Sequence, residues 1–308
     1  MNFKKTLAWL LHRCLEGIFF IYLGFFRLLP LILFRRLLRP VLKIIISLVI
    51  PRRRIVKNIN AAFGETYSGA TKNGLAKGVQ EHFVTTLLDC FLQLADPEHA
   101  RRNVAVEGLE NLRAALAKGN GVIALGAHIG NFVLVGTRLA MEGYPVSTLF
   151  RLPADTRLKD IIERHLPSFH QQVIPSQPRR AAVRRVLKAL KHNEIVFILG
   201  DNLKVGKVQT FLFGQRVHTP RGPATLALRS GAAVVPMYLI RNYRGGLQLV
   251  IEPEILLIRN GNVYEDVTGN TRQIVRYLES LIARYPDQWN WLTVRMEKYR
   301  SQVGMRNR

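Results

Sequence analysis

Cysteine is nearly absent from this chain, which has two cysteines among 308 residues. Cys14 and Cys90 lack the spacing of a metal site, and Cys14 lies in an apolar N-terminal segment. We therefore expect neither a bound metal ion nor a structural disulfide. A chain without disulfides fits a reducing environment, which predicts a functional site that faces the cytoplasm.

Acidic residues are also scarce, because 21 Asp and Glu stand against 45 Lys and Arg and leave a net charge of +24. Such an excess indicates a polyanionic partner: nucleic acid, an anionic bilayer, or a phosphorylated or carrier-bound substrate. The sequence has no zinc-finger spacing, RNP motif or basic zipper, so we expect no nucleic acid. The hydrophobic N-terminus favours the membrane instead.

No apolar run is both long and uninterrupted. Residues 14–34 are long enough to span a bilayer, but Glu16, Arg27 and Pro30 interrupt them, and no small-residue cleavage site follows. A second run, Val41–Ile50, is too short to span. Because basic residues flank both runs, residues 1–50 are predicted to form hydrophobic helices that lie in or dip into the cytoplasmic leaflet. A buried pair of core helices is the alternative.

The rest of the chain, residues 51–308, is predicted to form one α/β domain. Residues 55–100 have a helical apolar stripe, and from there strand-like and helical segments alternate. This rhythm predicts a mostly parallel or mixed central sheet flanked by helices. Phe211–His218 is predicted to be a hairpin with its turn at Gly214-Gln215. The predicted strands are 104–106, 122–125, 146–150, 172–174, 195–199, 233–240 and 247–251, and the predicted helices are 131–141, 156–165, 179–191, 223–229 and 267–284.

One histidine lies where α/β proteins usually hold their chemistry. The apolar strand in Gly121–Val133 (GVIALGAHIGNFV) ends in Gly-Ala-His, so His128 is predicted to lie on the turn after it. An imidazole with a pKa near 7 can take the proton of a hydroxyl nucleophile. A lone histidine at a strand end is more often structural, so the reading depends on the surrounding pattern.

That pattern is found in several blocks whose order is shared. The segment from His128 resembles the H-x-x-x-x-D/E motif of glycerolipid and lipid A acyltransferases. Over about residues 50–295 the chain resembles the lipid A lauroyl/myristoyl acyltransferase branch of the lysophospholipid acyltransferase superfamily. The other matching blocks are Arg54–Phe63, Val106–Glu110, Phe150–Pro153, Leu199–Asn202, Phe211–Gly214, Thr219–Ala224, Ser230–Pro236 and Tyr285–Leu292.

The resemblance implies an acyltransferase at the cytoplasmic face of a bacterial inner membrane. Such an enzyme moves a fatty acyl chain from acyl-carrier protein or acyl-CoA, its co-substrate, to a hydroxyl of a lipid A-type glycolipid or a lysophospholipid. It needs no other cofactor and no metal. Acyl-carrier protein and anionic membrane lipids are the expected partners.

The resemblance also assigns roles to the residues around His128, which is the general base. The backbone N–H groups of Gly130 and Asn131 are expected to stabilise the oxyanion, with Phe132 and Val133 beside them in the oxyanion or acyl-binding region. Val133 stands where the family has its acid. Asp201 is the predicted substitute, because it follows Ile195–Leu199 and the carboxyl ends of parallel strands meet at one edge. A weakened enzyme, or a non-catalytic relative that binds acyl-lipid or carrier protein, remains the alternative.

Arginines are the expected ligands of substrate phosphate or phosphopantetheine. Arg151, Arg221 and Arg241 suit this role because guanidinium binds phosphate oxygens in pairs, and Gly222 is predicted to open a helix beside Arg221. Arg221 pairing with Asp201 or another acid is the alternative. A basic run at helical spacing is either a solvated helix face or a docking surface for an acidic carrier protein or anionic lipid. Its members are Arg179, Arg180, Arg184, Arg185, Lys188 and Lys191.

Overall fold

The computed structural model describes residues 31–153, 159–160, 166–203 and 206–292. Most of the predicted helix 156–165 and most of the apolar stretch 14–34 lie outside these residues. The helices are α1 (Leu31–Val49), α2 (Arg52–Phe63), α3 (Gly69–Ala95), α4 (His99–Asn103), α5 (Leu109–Leu116), α6 (Val133–Met141), α7 (Arg179–Lys191), α8 (Gly222–Ser230) and α9 (Val263–Arg284). The strands are β1 (Val104–Glu107), β2 (Val122–Gly126), β3 (Val146–Phe150), β4 (Gln172–Pro175), β5 (Ile195–Leu199), β6 (Val208–Leu212), β7 (Gln215–Thr219), β8 (Ala233–Arg241) and β9 (Leu247–Ile251).

A seven-stranded sheet in the order β1-β9-β8-β2-β5-β3-β4 forms the centre of the described structure. Its neighbours are parallel except β8 and β9, which are antiparallel. The predicted α/β fold with a mostly parallel, mixed sheet is therefore confirmed. Because β8, β2, β5, β3 and β4 all run in one direction, their carboxyl ends share one edge, which we call the site edge.

Helices cover both faces of this sheet, and successive residues of β2 point alternately to the two faces. Ile123 and Leu125 of β2 pack with α7, α8 and α9, together with α1, α2 and α3. Val122 and Ala124 point to the other face, where α4, α5 and α6 pack. Every residue of β2 is buried, as expected of a central parallel strand.

Strands β6 and β7 form the predicted hairpin, but its turn is one residue earlier than expected. Leu212 pairs with Gln215, so the two turn residues are Phe213 and Gly214 rather than Gly214 and Gln215. Phe213 has φ 48° and Gly214 has φ 69°. Two-residue turns of this kind need positive φ at both positions, which matches the right-handed twist of the strands they join.

Helix α1 has apolar residues on two opposite sides. Its inner side, Leu38, Leu42 and Ile46, is buried and belongs to the same core cluster as α3. A second apolar row, which we call the α1 outer stripe, is exposed. Its residues are Leu33, Leu37, Val41, Ile44 and Leu48. No helix in the described part of the chain has the length and apolar character needed to cross a membrane.

Candidate active site

His128 and Asp201 approach each other because of the register between two neighbouring parallel strands. Gly126, the last residue of β2, pairs with Leu199, the last residue of β5. The two segments stay side by side beyond the strand ends, because the Gly200 N–H donates to the Gly126 carbonyl at 2.8 Å. His128 and Asp201 are the second residues after β2 and β5, so the side chains predicted to act together do lie side by side.

The Asp201 carboxylate holds the histidine at two points. Nδ1 of His128 lies 2.8 Å from Oδ1 of Asp201, and the His128 backbone N–H donates to Oδ2 at 2.8 Å. The indole Nε1 of Trp289 also donates to Oδ2, at 2.9 Å. The Asp201 side chain is 0% exposed and that of His128 is 29% exposed. The acid is thus a fixed, buried anchor, whereas the imidazole reaches the surface of the crevice.

These contacts keep Asp201 ionised despite its burial. Burial alone raises the pKa of a carboxyl group, but here the positive charge of His128 and the hydrogen bonds from His128 and Trp289 outweigh it and lower the pKa of Asp201. An ionised Asp201 accepts from the imidazole, so it fixes the tautomer that has its proton on Nδ1. The chemically active nitrogen of this tautomer is Nε2.

The turn after His128 requires glycine at position 130. Gly130 has φ +57°, and a Cβ added to it would lie 1.8 Å from the Leu239 carbonyl oxygen of β8. Its N–H donates to the Gln288 carbonyl at 3.0 Å, and the Asn131 N–H donates to the Leu239 carbonyl at 2.7 Å. The two N–H groups that were predicted to form the oxyanion hole therefore already have backbone acceptors, from the C-terminal segment and from β8.

Phe132 and Val133 follow at the start of α6. The Phe132 ring meets the His128 imidazole edge-on, with 5.0 Å between ring centroids and 67° between planes. Val133 is the first residue of the helix, and its carbonyl accepts from Gln171 Nε2 at 3.2 Å. Within the described residues neither N–H of these two positions donates a hydrogen bond. These two amides close to His128 therefore have no hydrogen-bond acceptor within the described residues.

A second histidine, which the sequence did not reveal, supports the same turn. His82 of α3 places Nε2 3.1 Å from the Gly130 carbonyl oxygen and 3.3 Å from Oγ1 of Thr86. Burial lowers its pKa to about 4, so the ring is neutral at ordinary pH. A neutral ring with its proton on Nε2 donates to Gly130. Only the helical amphipathic pattern hinted at α3, and nothing in that pattern marked His82.

The depressed pKa of His82 predicts a loss of stability in mild acid. Between pH 6.5 and 4 the unfolded chain takes up a proton that the folded chain refuses, so the free energy of unfolding falls as pH falls. From this group we expect about 2 kcal/mol less between pH 7 and pH 5. Urea titrations at both pH values should show that His82→Gln reduces this difference, while His218→Gln, at an exposed hairpin position, keeps it. An unchanged pH dependence in His82→Gln would contradict the assignment.

The guanidinium of Arg241 donates hydrogen bonds to two groups of the protein. Its Nη2 pairs with the buried Asp89 of α3, and its Nη1 donates to the Gly245 carbonyl at 2.7 Å. Asn131 Nδ2 lies 3.5 Å from the same Asp89 oxygen. Arg241, which was predicted to bind substrate phosphate, is therefore paired with Asp89, the carboxylate that also accepts from Asn131.

Arg151 and Arg221 remain exposed. Arg151 directly follows β3, and Arg221 precedes α8, whose first residue is Gly222. Neither guanidinium has an ion pair within the described part of the chain, so Arg221 does not pair with Asp201 there. Their role in phosphate binding stays a prediction.

Metal ligands and reactive thiols do not add to this site. In the ranges that the structure covers, no group of three His, Cys, Asp or Glu side chains is arranged to hold a metal ion. Cys90 is a free cysteine, and burial raises the pKa of its thiol to about 12. It is therefore an unreactive core group at ordinary pH. Cys14 lies outside the described residues.

Comparison with known proteins finds acyltransferases that are similar to most of this chain. Phosphatidylinositol mannoside acyltransferase of Mycobacterium tuberculosis is 28% identical over 210 residues, which are 65% of this chain and 64% of that protein. The enzyme of that name from Mycolicibacterium smegmatis is 25% identical over 218 residues, 67% of this chain and 69% of the relative. Lipid A biosynthesis palmitoleoyltransferase of Escherichia coli is 26% identical over 195 residues, 61% of this chain and 59% of the relative. The model of the bacterial lipid A biosynthesis acyltransferase family matches residues 3–298, and the chain therefore belongs to that family.

Proposed function

We propose that this protein is a membrane-associated acyltransferase that moves a fatty acyl chain from a carrier-protein or CoA thioester to a hydroxyl of a lipid A-type glycolipid or a lysophospholipid. The observation that carries this proposal is the contact between His128 Nδ1 and Asp201 Oδ1 at 2.8 Å. It supplies the acid that position 133 lacks. Two of the relatives are named for phosphatidylinositol mannoside and for lipid A biosynthesis, and these names support a glycolipid acceptor.

The dyad accounts for each proton in the transfer. Nε2 of His128 takes the proton of the acceptor hydroxyl as its oxygen attacks the thioester carbon. Asp201 stabilises the imidazolium that forms, because a buried carboxylate is a strong partner for a positive charge. When the tetrahedral intermediate collapses, the carbon–sulfur bond breaks and the proton on Nε2 passes to the departing thiolate. The enzyme returns to its starting state.

The negative oxygen of that intermediate needs donors, and the start of α6 offers them. The N–H groups of Phe132 and Val133 donate no hydrogen bond within the described residues, and they lie at the positive end of the helix dipole. We assign them the role that Gly130 and Asn131 were expected to have. In this arrangement the apolar Val133 side chain is no defect, since the residue acts through its backbone.

The alternative is a non-catalytic relative that binds acyl-lipid or carrier protein. The observation in favour of this alternative is Val133, which stands where the motif has its acid. The His128–Asp201 contact favours the enzyme, since an impaired site has no need to keep a buried carboxylate on the histidine ring. Lipid mass spectrometry of cells with and without the gene tests the choice. We expect one glycolipid or phospholipid class to lose the mass of one acyl chain in the deletion strain, and an unchanged lipid profile would contradict the enzyme.

We further propose that residues 1–50 attach the acyltransferase domain, residues 51–308, to the cytoplasmic face of the inner membrane. The α1 outer stripe supports this, because its exposed apolar row is flanked by Arg35, Arg36, Arg39 and Lys43 on the same helix. A helix that combines an exposed apolar row with cations binds the interface of an anionic bilayer.

The α1 outer stripe gives a direct test. Leu37→Glu/Ile44→Glu/Leu48→Glu is expected to weaken binding to vesicles of phosphatidylglycerol by at least about tenfold, since each leucine or isoleucine contributes up to about 2 kcal/mol when buried. Flotation of the full chain with vesicles measures this. Val263→Glu/Tyr264→Glu, which also charges exposed apolar residues, is the matched control. Equal flotation of both variants and the parent would count against the α1 outer stripe.

A further inference from the structure

Helix α7 has a row of cations on the side that faces away from the protein. Ala182, Val186 and Leu190 are buried beneath it. Opposite them, Arg180, Arg184, Lys188 and Lys191 recur at spacings of four, four and three residues, and all are exposed. We call these four residues the basic stripe. The helix contains no acidic residue, and within the described residues none of the four has an ion pair.

The basic stripe is unfavourable for the isolated protein. Like charges four residues apart on a helix repel each other and weaken the helix. The neighbouring helix α8, which packs against α7, adds the exposed Arg229 and the preceding Arg221. A positive surface of this kind, without internal counter-charges, fits an acidic partner.

The position of α7 relates this surface to His128. The helix begins at Arg179, four residues after the end of β4, and β4 ends at the same site edge as β2. Three strand spacings separate β2 from β4, a distance of about 14 Å. The exposed Arg151, at the end of β3, lies between them. A flexible arm that starts from a partner on α7 has a short path along this edge to the dyad.

The partner that fits is a protein rather than a membrane. Membrane-surface helices pair their cations with exposed apolar residues that enter the bilayer, as α1 does. The large exposed hydrophobic residues of the described structure lie in other segments, and α7 has none of them. A face that is basic and free of large exposed apolar side chains matches a soluble acidic surface.

We propose that the basic stripe docks the small acidic protein that carries the acyl thioester, an acyl-carrier protein, and that the acyl donor reaches His128 from this side. The inference rests on the proposed acyl transfer for its consequence, but the docking itself is measurable without catalysis. Charge complementarity governs it, so the complex is expected to weaken as salt rises.

A charge-reversal pair tests the surface. Arg184→Glu/Lys188→Glu, in the full chain, is expected to weaken binding of purified holo-acyl-carrier protein by at least about tenfold, measured by fluorescence anisotropy at two salt concentrations. The matched control is Arg113→Glu/Arg259→Glu. Arg113 lies on α5, on the other face of the sheet, and Arg259 follows β9; both are exposed. Because all four positions are exposed, neither variant should unfold at a lower temperature than the parent.

Turnover then links the surface to the donor. The same variant should raise KM for the carrier thioester by at least about tenfold and leave KM for acyl-CoA unchanged, because CoA has no acidic protein to dock. If no donor supports acyl transfer but carrier binding still depends on the basic stripe, the docking proposal stands and the proposed function falls. Equal carrier binding by the two variants overturns the docking proposal. So does a loss of binding to phosphatidylglycerol vesicles in the reversed variant with carrier binding intact, which would make this face a membrane surface.

Discussion

The substitution Asp201→Asn is expected to lower the rate of acyl transfer by more than about 100-fold, and by as much as about 10⁴-fold if the dyad behaves like a Ser-His-Asp system. The physical reason is the orientation of the new amide. Oδ2 of Asp201 accepts from the His128 backbone N–H and from Trp289, so the asparagine oxygen must take that place. Its NH₂ group then faces Nδ1 of the imidazole. The ring is forced to put its proton on Nε2, where it can no longer accept one from the acceptor hydroxyl.

The measurement is single-turnover acyl transfer from a carrier thioester, with Val133→Glu as the companion variant. Because Asp201 already orients His128, Val133→Glu is expected to raise the rate of acyl transfer only slightly. The fold of Asp201→Asn should be nearly unaffected, because both N–H donors keep an acceptor. If Asp201→Asn is silent while Val133→Glu raises the rate, the chain is an impaired relative that lacks its acid. A parent with high activity that is indifferent to both changes would refute both readings.

Loss of the imidazole is the second change with a large expected effect. His128→Ala should reduce acyl transfer by at least about 10²–10⁴-fold, the range that general base catalysis contributes. It also removes one partner from a buried carboxylate, which is expected to cost about 1–3 kcal/mol of unfolding free energy. His128→Asn separates the two effects, since its amide can still donate to Asp201 but cannot act as a base.

Both variants are compared with His218→Ala, at an exposed position of the hairpin. Chemical denaturation should show His128→Asn closer to the parent in stability than His128→Ala, with both inactive. Activity that persists in His128→Asn would remove His128 from the role of base. A rate loss that follows stability, so that His128→Asn recovers activity, would make the histidine a structural residue only.

The strands of the sheet were largely predictable because they are short apolar runs whose signal is local. Val146–Phe150, Ile195–Leu199 and Leu247–Ile251 match the sequence prediction at both ends, and the other four strands of the sheet are one residue longer than predicted. The pairing of His128 with Asp201 followed from one topological rule, that neighbouring parallel strands end at one edge. The rule needs no knowledge of distant contacts, and it was sufficient here.

Contacts between distant parts of the chain could not be predicted from the sequence. Gly130 and Asn131 looked suitable as oxyanion donors until β8 and the segment after α9 placed carbonyl oxygens against them. Arg241 looked free because Asp89, its partner, lies 152 positions away. His82 was missed for the same reason. The sequence shows which groups are available, but only the tertiary structure shows which are already occupied.

Residues 288–290, near the C-terminus, contact both members of the dyad and are synthesised long after them. Trp289 donates to Asp201, the Gln288 carbonyl accepts from Gly130, and the Asn290 N–H donates to the His128 carbonyl. Both members of the dyad are therefore held by residues that leave the ribosome more than 80 positions after Asp201. While these residues are still inside the ribosome, the nascent chain has His128 and Asp201 but lacks the contacts that hold the two side chains in place. The contacts that hold the dyad are therefore complete only after residues 288–290 have been synthesised.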